Sequence, residues 1–494
     1  MSEDELIAER KKKLRAIREL GVDPYPYSYT QTHHAADILK RHSGLKPEEH
    51  TKDVVSIAGR IMLLRRMGKA AFFDVRDWTG KIQVYVREDH VGEKQYEVFK
   101  NLDIADWVGV KGTIFRTKMG ELSVDAQEIT ILGKTLRPLP DKWHGVKDKE
   151  IRYRKRYLDL ATNPEVIELF KKRAKIINCV RTFLNNINFV EVETPVLQVL
   201  YGGTNAKPFR THINAYDMPM YLRIAPELYL KRAVVGGFER VYEIARNFRN
   251  EGVDQMHNPE FSMIEWYEMY ADYNVMMDRA EAMIRYIARE LYGKEEITVH
   301  GTKVDLSKKW PRIPMKDAIK QFISVDLDMV DDAELEQLCH KQGAEVKHGA
   351  SRGHMIFALF DKLATQHLLN PTWVIDYPKE VSPLSKIHRV HPELVERFEG
   401  YIGGKELCDG WSEIIDGESQ RQRFEEEQAA LRAGVNEEAH PVDEDFIIAL
   451  EHGMPVLGGI GMGIDRLVMF MTDTWSIRDV ILFPTMKPEQ QDEE

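Results

Sequence analysis

Residues 244–273 carry charged and aromatic side chains at alternating positions, a spacing that could assemble a binding site. If this segment forms two β-strands joined by the polar loop 252–259, residues two apart share one face of the sheet. Burying charged groups there without a ligand costs on the order of several kcal/mol, whereas a solvated, salt-bridged hairpin leaves them in water. The neighbouring Phe248 and Trp266 favour a site over the solvated hairpin. Its face would carry Arg249, Glu251, Phe261, Met263, Glu265 and Tyr267.

A second segment, residues 458–471, has the sequence GGIGMGIDRLVMFM. Its glycines leave a backbone that another group can approach closely, and Asp465 begins an apolar run typical of a buried helix with Arg466 in its first turn. A dinucleotide-binding fold also places glycines before a helix, but no second βα unit follows here and no GxxxxGK[ST] loop occurs. We therefore expect any nucleotide to be held by arginines and strands.

A third segment, residues 396–414, places carboxylates at alternating positions with Trp411 among them. It could be an acidic hairpin at the edge of a sheet, where charged residues prevent pairing with other chains. Alternatively, Glu399 and Glu406 could hold Mg²⁺ between the protein and nucleotide phosphates, the usual way in which this ion is bound. Glu413 would then remain to meet a cation.

Taken together, these segments resemble the signature motifs of the class II aminoacyl-tRNA synthetases, and specifically of the lysyl-tRNA synthetases. FRNEG with HNPEFSMIEWY is similar to the second motif of the class, GIGMGIDRLVMF to the third, and FVEVETPVLQ to the first. Further similar stretches are RYRKRYLDL, GGTNAKPF, APELYLKR and RDVILFPTMKP. The resemblance implies an α+β protein, with an antiparallel-sheet catalytic domain after an N-terminal OB-fold β-barrel. It also implies ligation of lysine to tRNA with ATP.

The predicted organisation has three parts. Residues 1–50 form an N-terminal helical extension, 51–145 an OB-fold anticodon-binding domain, and 146–494 the catalytic domain with a helical insertion at about 275–367. Five alternating segments between 54 and 133 match the strand count of an OB barrel. An apolar stripe predicts a helix over 171–186 that leads into a strand at 189–195. In this class that pair forms a two-fold interface, so we expect a homodimer.

The resemblance also implies roles for individual residues. Arg249 and Arg466 are expected to be catalytic, with Arg249 bridging the lysine carboxylate and the α-phosphate. Glu227 and the backbone of Gly203 are expected to bind the α-ammonium group. The residues expected to bind ATP are Arg249, Glu251, His257, Phe261 and Arg466, and those expected to bind two or three Mg²⁺ ions are Glu399 and Glu406. The rest of the lysine is expected to contact Arg249, Glu265, Tyr267, Asp409, Trp411 and Glu413. The anticodon is expected to contact Arg65, Phe72, Gln83 and Glu121.

Some positions leave alternatives open. By burial statistics alone Phe72 is a core aromatic residue, whereas the resemblance makes it a platform for an anticodon base. Asp409 stands where the family usually has asparagine, beside the expected lysine carboxylate. It could bind Mg²⁺, the reading we favour, or be offset by Arg249. Trp411 replaces the usual phenylalanine, and Lys207 and Met256 replace common arginines, so these two are assigned no role.

Composition agrees with this interpretation. The 43% hydrophobic content of 494 residues suffices for two or three domains, and no long apolar segment predicts a signal peptide or a membrane span. Three widely spaced cysteines suit a reducing cytosol. The net charge of −11 requires tRNA to meet local basic clusters, for which residues 10–18 and 152–156 are candidates. Two other functions stay open: a synthetase-like protein that binds tRNA without charging it, and a lysyl-transferase acting on protein.

Overall fold

The structure is a computed structural model that describes residues 2–140, 147–347, 349–432 and 441–489. Its contacts define two compact units, Met1–Asp148 with Tyr157–Asn163, and Lys149–Arg156 with Pro164–Glu494. The predicted domain boundary at residues 145 and 146 lies outside the described residues. None of the described helices is both long and apolar enough to span a membrane.

The first unit contains a closed five-stranded barrel with strand order β1-β2-β3-β5-β4, which confirms the predicted OB-type barrel. Alternate residues such as Phe73, Val84 and Val110 point inward and form its core. The elements of this unit are α1 (Glu3–Glu19), α2 (Ala35–Arg41), β1 (His50–Met67), β2 (Ala70–Arg76), β3 (Lys81–Arg87), α3 (Glu88–Val91), α4 (Glu93–Lys100), β4 (Trp107–Arg116) and β5 (Leu122–Gly133).

The two N-terminal helices pack on this barrel. α1 begins with a capping box in which Ser2 and Glu5 satisfy each other's backbone N–H groups, and Ile17 of α1 enters the barrel core. Arg10 donates to the carbonyl oxygen of Ile104 at 3.1 Å, and Lys13 pairs with Asp103 at 2.5 Å. Two members of the first basic cluster therefore hold the helix to the barrel.

The second unit is built on an eight-stranded sheet with the order β14-β15-β16-β17-β18-β11-β10-β6. It is antiparallel except where β14 meets β15 and β10 meets β6. Together with the helices this confirms the predicted α+β class. The unit also contains two smaller sheets, β7-β9-β8 and β12-β13. The strands of all three sheets are β6 (Val190–Glu191), β7 (Leu197–Gln198), β8 (Arg210–Ile213), β9 (Met218–Leu222), β10 (Arg240–Phe248), β11 (Glu260–Met269), β12 (Glu296–Val299), β13 (Thr302–Asp305), β14 (Arg312–Pro314), β15 (Thr372–Pro378), β16 (Leu394–Ile402), β17 (Lys405–Ser412) and β18 (Leu457–Gly463).

Helices pack on both faces of this sheet, and on one of them, the site face, they leave room for the site beside Tyr267. Ile264 and Trp266 of β11 and Met462 of β18 are buried in the main core, while Glu265 and Tyr267 point to the opposite face. Of the helices from residue 149 onward, α6 (Arg156–Thr162) belongs to the first unit except for Arg156. The helices of the second unit are α5 (Lys149–Arg154), α7 (Pro164–Asn186), α8 (Glu227–Val235), α9 (Tyr273–Tyr292), α10 (Met315–Lys320), α11 (Asp332–Gln342), α12 (Arg352–Leu363), α13 (Gly417–Arg432), α14 (Glu444–Glu451), α15 (Ile464–Thr472) and α16 (Ile477–Val480).

The structure differs from the predicted elements at the first motif and in the insertion. The helix predicted over 171–186 begins at Pro164, because proline is well tolerated at a first helical position. The strand predicted over 189–195 is shorter in the structure: its ladder pairs are Val190 and Glu191, and the N–H of Val192 still donates to the carbonyl oxygen of Tyr242 at 2.9 Å. Beyond it the N–H of Thr194 turns to the carboxylate of Glu243, so the ladder ends before Pro195. The segment 275–367 also contains strands β12, β13 and β14, and the buried face of α9 belongs to the main core.

The structure also excludes one of the two readings of the acidic segment and corrects one expected tRNA-facing residue. The acidic hairpin β16–β17 lies inside the sheet, with β15 and β18 on either side, so its carboxylates do not protect an edge. In the second basic cluster Arg156 is only 1% exposed and donates to the carbonyl oxygens of Leu482 and Arg478. Arg156 therefore anchors the C-terminal segment and cannot face tRNA.

Candidate active site

A cavity of about 320 Å³ opens on the site face of the sheet. Strands β11, β16, β17 and β18, the first turn of α15 and the loop after β10 contribute its walls. Arg397 also lies there, a residue to which the sequence assigned no role. The cavity brings together eight of the predicted site residues, namely Arg249, Glu251, His257, Phe261, Glu399, Glu406, Asp409 and Arg466.

The predicted hairpin of the second motif is present, because β10 and β11 pair in register from Arg240 opposite Glu268 to Phe248 opposite Glu260. Arg249 follows the end of β10, and its N–H donates to the carbonyl oxygen of Pro259 at 2.9 Å. Its guanidinium carbon lies 5.0 Å from the ring centroid of Phe261. The Nε atom of Arg249 is buried and has no hydrogen-bond partner among the described residues, so it could donate to an anion.

Arg466 approaches the cavity from the first turn of α15. It pairs with a carboxylate oxygen of Glu406 at 3.2 Å, and its guanidinium lies 3.2 Å from Nε2 of His257. Asp465, the residue before Arg466, accepts a hydrogen bond from the N–H of Ser262 and pairs with Arg173 of α7. This buried pair ties α15 to both β11 and α7, and so fixes the direction in which Arg466 points.

Carboxylates from β16 and β17 form the acidic wall of the cavity. Glu399 lies opposite Asp409 in the strand register, and Arg397 reaches both, at 2.7 Å and 3.6 Å. The second oxygen of Glu399 accepts a hydrogen bond from Tyr401. Burial raises the pKa of Asp409 to about 7, against the attraction of Arg397. Asp409 is thus offset by an ion pair with Arg397 and not with the expected Arg249.

A metal held by protein groups alone is not indicated, since the described residues contain no cluster of three or more His, Cys, Asp or Glu side chains arranged to hold an ion. Glu399 and Glu406 nevertheless line one cavity with their oxygen atoms. Mg²⁺ usually binds one or two carboxylates, with water and substrate phosphates completing its shell. The donor set therefore suits Mg²⁺ bound together with a nucleotide.

A smaller cavity of about 150 Å³ shares Thr204, Arg397 and Asp409 with the first. Gly203 and Trp411, both expected at the lysine site, line it. Gly203 has φ +90°, and a Cβ there would lie 2.9 Å from the Cβ of Glu227. Glycine is therefore required by both backbone conformation and space.

Four acidic or phenolic side chains are buried behind these cavities: Glu227, Glu265, Tyr267 and Glu413. Tyr267 donates to Glu265 at 3.1 Å, and Trp411 donates to Glu413 at 2.7 Å. Burial raises the pKa of Glu265, with Glu227 adding to the effect, and raises the pKa of Glu413 to about 8. Each carboxylate would gain from a bound cation.

Glycines of β18 make the room for these side chains. A Cβ on Gly459 would lie 2.2 Å from a carboxylate oxygen of Glu413 and 2.4 Å from the ring of Tyr267. These distances are shorter than any that a Cβ tolerates. The glycine-rich segment therefore serves the pocket of side chains rather than a pyrophosphate.

Lys231, which the sequence analysis did not single out, is the basic residue of this pocket. Its ammonium group contacts Glu227 and Glu413 at 2.5 Å each. The spacing of Glu227 and Lys231, four residues apart on α8, was a usable signal for this pair. A similar signal existed for Arg397, which lies two residues before Glu399 on the same strand, so that both side chains point to the same face of the sheet.

The predicted anticodon residues lie on the barrel. Phe72 is half-buried and points away from the core, and its ring stacks on Tyr85 with centroids 4.6 Å apart. Arg65 lies opposite Phe72 in the register, and Gln83 accepts a hydrogen bond from Ser123 at 2.9 Å. Glu121 is exposed in the turn before β5. The outer position of Phe72 argues against a core role.

Comparison with known proteins agrees with this architecture. The family model described as tRNA synthetases class II (D, K and N) matches residues 148–487, and the model of the OB-fold nucleic acid binding domain matches residues 55–132. The chain belongs to the class II tRNA synthetases.

Several relatives carry the name lysine–tRNA ligase. The protein of Moorella thermoacetica is 49% identical over 491 residues, covering 99% of both chains. Those of Pelotomaculum thermopropionicum and Thermotoga maritima are 50% and 48% identical, covering 99% and 98% of this chain and 96% and 97% of their own. The similarity thus extends across barrel and catalytic unit alike.

Proposed function

We propose that this protein is a lysine–tRNA ligase that activates L-lysine with ATP and transfers the lysyl group to the 3′ end of tRNA(Lys). The observation that carries the proposal is the buried acidic pocket formed by Glu227, Glu265 and Glu413 beside the cavity that contains Arg249. The D, K and N group includes enzymes for acidic and amide amino acids. An aspartate side chain would bring a further negative charge into this pocket, so lysine is the fitting substrate.

We assign the two ends of the pocket by the contacts between its members. Glu227 and Glu413 meet at one ammonium group, that of Lys231. Gly203 lies against Glu227, since a Cβ on Gly203 would be 2.9 Å from the Cβ of Glu227. Glu227 with the backbone of Gly203 would therefore meet the α-ammonium group. Glu265, Tyr267 and Glu413 would surround the side-chain end of the substrate.

The first step follows from the charges in the cavity. A carboxylate oxygen of lysine attacks the α-phosphorus of ATP, and the bond from that phosphorus to the bridging oxygen breaks as pyrophosphate leaves. Arg249 meets both the carboxylate and the α-phosphate, where negative charge builds up. Phe261 offers its ring to the adenine, while Glu251, His257 and Arg466 meet the remaining parts of ATP.

Glu399 and Glu406 would hold two or three Mg²⁺ ions between the protein and the phosphates. The ions would neutralise phosphate charge. Arg397 and Tyr401 orient Glu399 toward the cavity through the hydrogen bonds described above. In the second step a ribose hydroxyl of the tRNA attacks the carbonyl carbon of lysyl-adenylate, and AMP leaves.

The barrel would recognise the anticodon through Arg65, Phe72, Gln83 and Glu121. Five exposed apolar side chains in and after the first motif support a homodimer, namely Val190, Val196, Leu197, Val199 and Leu200. We place the protein in the cytoplasm, where tRNA charging takes place.

The test is ATP–pyrophosphate exchange with each of the twenty amino acids, followed by charging of tRNA(Lys). Lysine alone should support rapid exchange, because the pocket requires a cation. Equal exchange with aspartate or asparagine would refute the proposal. Exchange with lysine but no charging of tRNA would favour a lysyl-transferase acting on protein, and tRNA binding without exchange would favour a paralogue that does not charge.

A further inference from the structure

Lys231 is a buried cation inside the acidic pocket. Its side chain has no exposed surface, and its ammonium group contacts one oxygen of Glu227 and one of Glu413 at 2.5 Å. The ring centroids of Tyr267 and Phe446 each lie 6.0 Å from the ammonium nitrogen. The lysine is therefore enclosed by the pocket's own residues.

The surroundings of Lys231 make a purely structural role costly. Leu228, Leu230, Val234 and Phe446 belong to the apolar cluster around it. In such a place an apolar side chain of similar length is often as stabilising as a buried ion pair, or more so. The charge itself is thus the feature that requires an explanation.

The contacts of Glu413 indicate what the charge does. Lys231 and Trp411 both contact its Oε2 atom, whereas Oε1 is buried and has no hydrogen-bond partner among the described residues. A buried carboxylate oxygen without a donor is costly, and a bound ammonium group would satisfy it. One oxygen is held and the other is available.

We propose that Lys231 is an internal counter-ion that sets the charge of the amino-acid pocket and holds Glu227 and Glu413 in position for the two ammonium groups of the substrate. This inference rests on the proposed function. With lysine bound and all three carboxyl groups ionised, Glu227, Glu265 and Glu413 supply three negative charges and Lys231 removes one. The two that remain match the two ammonium groups of lysine, while its carboxylate is met by Arg249.

The charge of Lys231 also acts on protonation. Glu413 is faced by Glu227 from α8, by Tyr267 and Glu265 from β11, and by Trp411 from β17, while α14 presents the uncharged Phe446. Lys231 is the cation that lowers the pKa of Glu413, and the hydrogen bond from Trp411 acts in the same direction. Without Lys231 the pKa of Glu413 would rise further, so the substrate's ammonium group would meet a neutral carboxyl group over a wider pH range.

The experiment compares Lys231→Met with Lys134→Met in the full-length protein. Lys134 is a matched control, because it is also fully buried between two carboxylates, Asp103 at 2.6 Å and Asp106 at 2.7 Å, but lies in the barrel unit. Wild-type exchange with lysine is measured first, so that a failure of the proposed function is seen before either variant is tested.

We expect Lys231→Met to raise the KM for lysine in pyrophosphate exchange at least about tenfold at pH 7, and to recover part of the loss at pH 9, where more of Glu413 is ionised. The KM for ATP should change little. Ethylammonium should partly restore the lysine KM by occupying the vacated site. Lys134→Met should lower the thermal midpoint without changing the KM for lysine.

Two results would overturn the inference. If the lysine KM and its pH profile match those of the wild type, Lys231 only stabilises the fold. A lysine KM that falls would show that Lys231 competes with the substrate. Should Lys231→Met fail to fold, Lys231→Gln serves instead, because it keeps hydrogen-bond donors for both carboxylates but removes the charge. The same two outcomes then decide.

Discussion

At the scale of single residues, the site combines carboxylates that are buried with arginines that are incompletely paired. Arg249 lies over Phe261, and within the part of the chain that the structure describes its buried Nε atom and one buried oxygen of Glu413 have no hydrogen-bond partner. Both are costs that the folded protein bears in the absence of substrate. A lysine with its carboxylate at Arg249 and its side chain at Glu413 would offset both.

The titration of Glu413 gives a pH prediction. Burial raises its pKa to about 8, so below that pH the free enzyme holds a neutral carboxyl group that cannot pair with an ammonium group. We expect the KM for lysine to rise as the pH falls from 8, by up to about tenfold per unit. Calorimetry in two buffers of different ionisation enthalpy should show proton release when lysine binds at pH 7.

The same pKa shift affects stability with a defined sign. Between the unfolded pKa of about 4.5 and the folded pKa of about 8, the folded state binds a proton that the unfolded state does not. The contribution of this carboxyl to stability is therefore present at low pH and is lost as the pH rises through that range. In the calorimetric measurement of lysine binding, proton uptake instead of proton release would contradict the assignment of the raised pKa to Glu413.

Asp409 gives a second prediction at this scale. It lines both cavities and pairs with Arg397, which places it where nucleotide and lysine carboxylate would meet. Asp409→Asn removes a negative charge beside that carboxylate and should lower the KM for lysine, by up to about tenfold. Mg²⁺ titrations of the exchange reaction should superimpose on those of the wild type. A higher Mg²⁺ requirement would instead show Asp409 to be a metal ligand, the role favoured by the sequence.

At the scale of elements, β18 is a strand whose lack of side chains creates the pocket. Gly459→Ala would place a methyl group against Glu413 and Tyr267, at distances of 2.2 Å and 2.4 Å before any movement. We expect the KM for lysine to rise at least about tenfold, since the carboxylate must shift. The KM for ATP should change less. Gly461→Ala is a milder comparison, because its new Cβ would meet the flexible end of Met263 at 3.0 Å.

The barrel strands give a prediction for tRNA binding. Phe72→Ala should weaken tRNA interaction by about 1–3 kcal/mol, the value of one stacked base, and leave lysyl-adenylate formation unchanged. Phe73→Ala is the contrasting variant on the same strand, since Phe73 is wholly buried in the barrel core and its loss should lower stability. Aminoacylation kinetics with tRNA(Lys) distinguish the two. Unchanged charging by the Phe72 variant would rule out its role as a base platform.

At the scale of the whole molecule, the exposed apolar residues of the first motif predict association. Leu197 is 46% exposed and Val190 is 47% exposed, which is costly for a cluster that meets only water. Leu197→Glu should shift the protein from dimer to monomer, as measured by sedimentation velocity. Exchange activity should fall with it if the dimer supports the site. A wild-type protein that sediments as a monomer would refute the homodimer.

The sequence by itself determined the class of fold and most of the membership of the site. Alternation placed Glu265 and Tyr267 on one face and Ile264 and Trp266 on the other, because side chains of a strand alternate whatever the rest of the chain does. The five short segments of the barrel and the buried helix after the glycines follow from the same local periodicities. The motifs then supplied the family.

Only the tertiary structure decided how those residues are paired. The positions of β16 and β17 inside the sheet, the pairing of Asp409 with Arg397, and the burial of Arg156 depend on contacts between residues far apart in the chain. The meeting of Glu227 with Glu413 around Lys231 is the clearest case, since these residues lie on α8 and after β17. Local patterns fix the direction in which a side chain points, but the charge it meets there is set by the packing of distant elements.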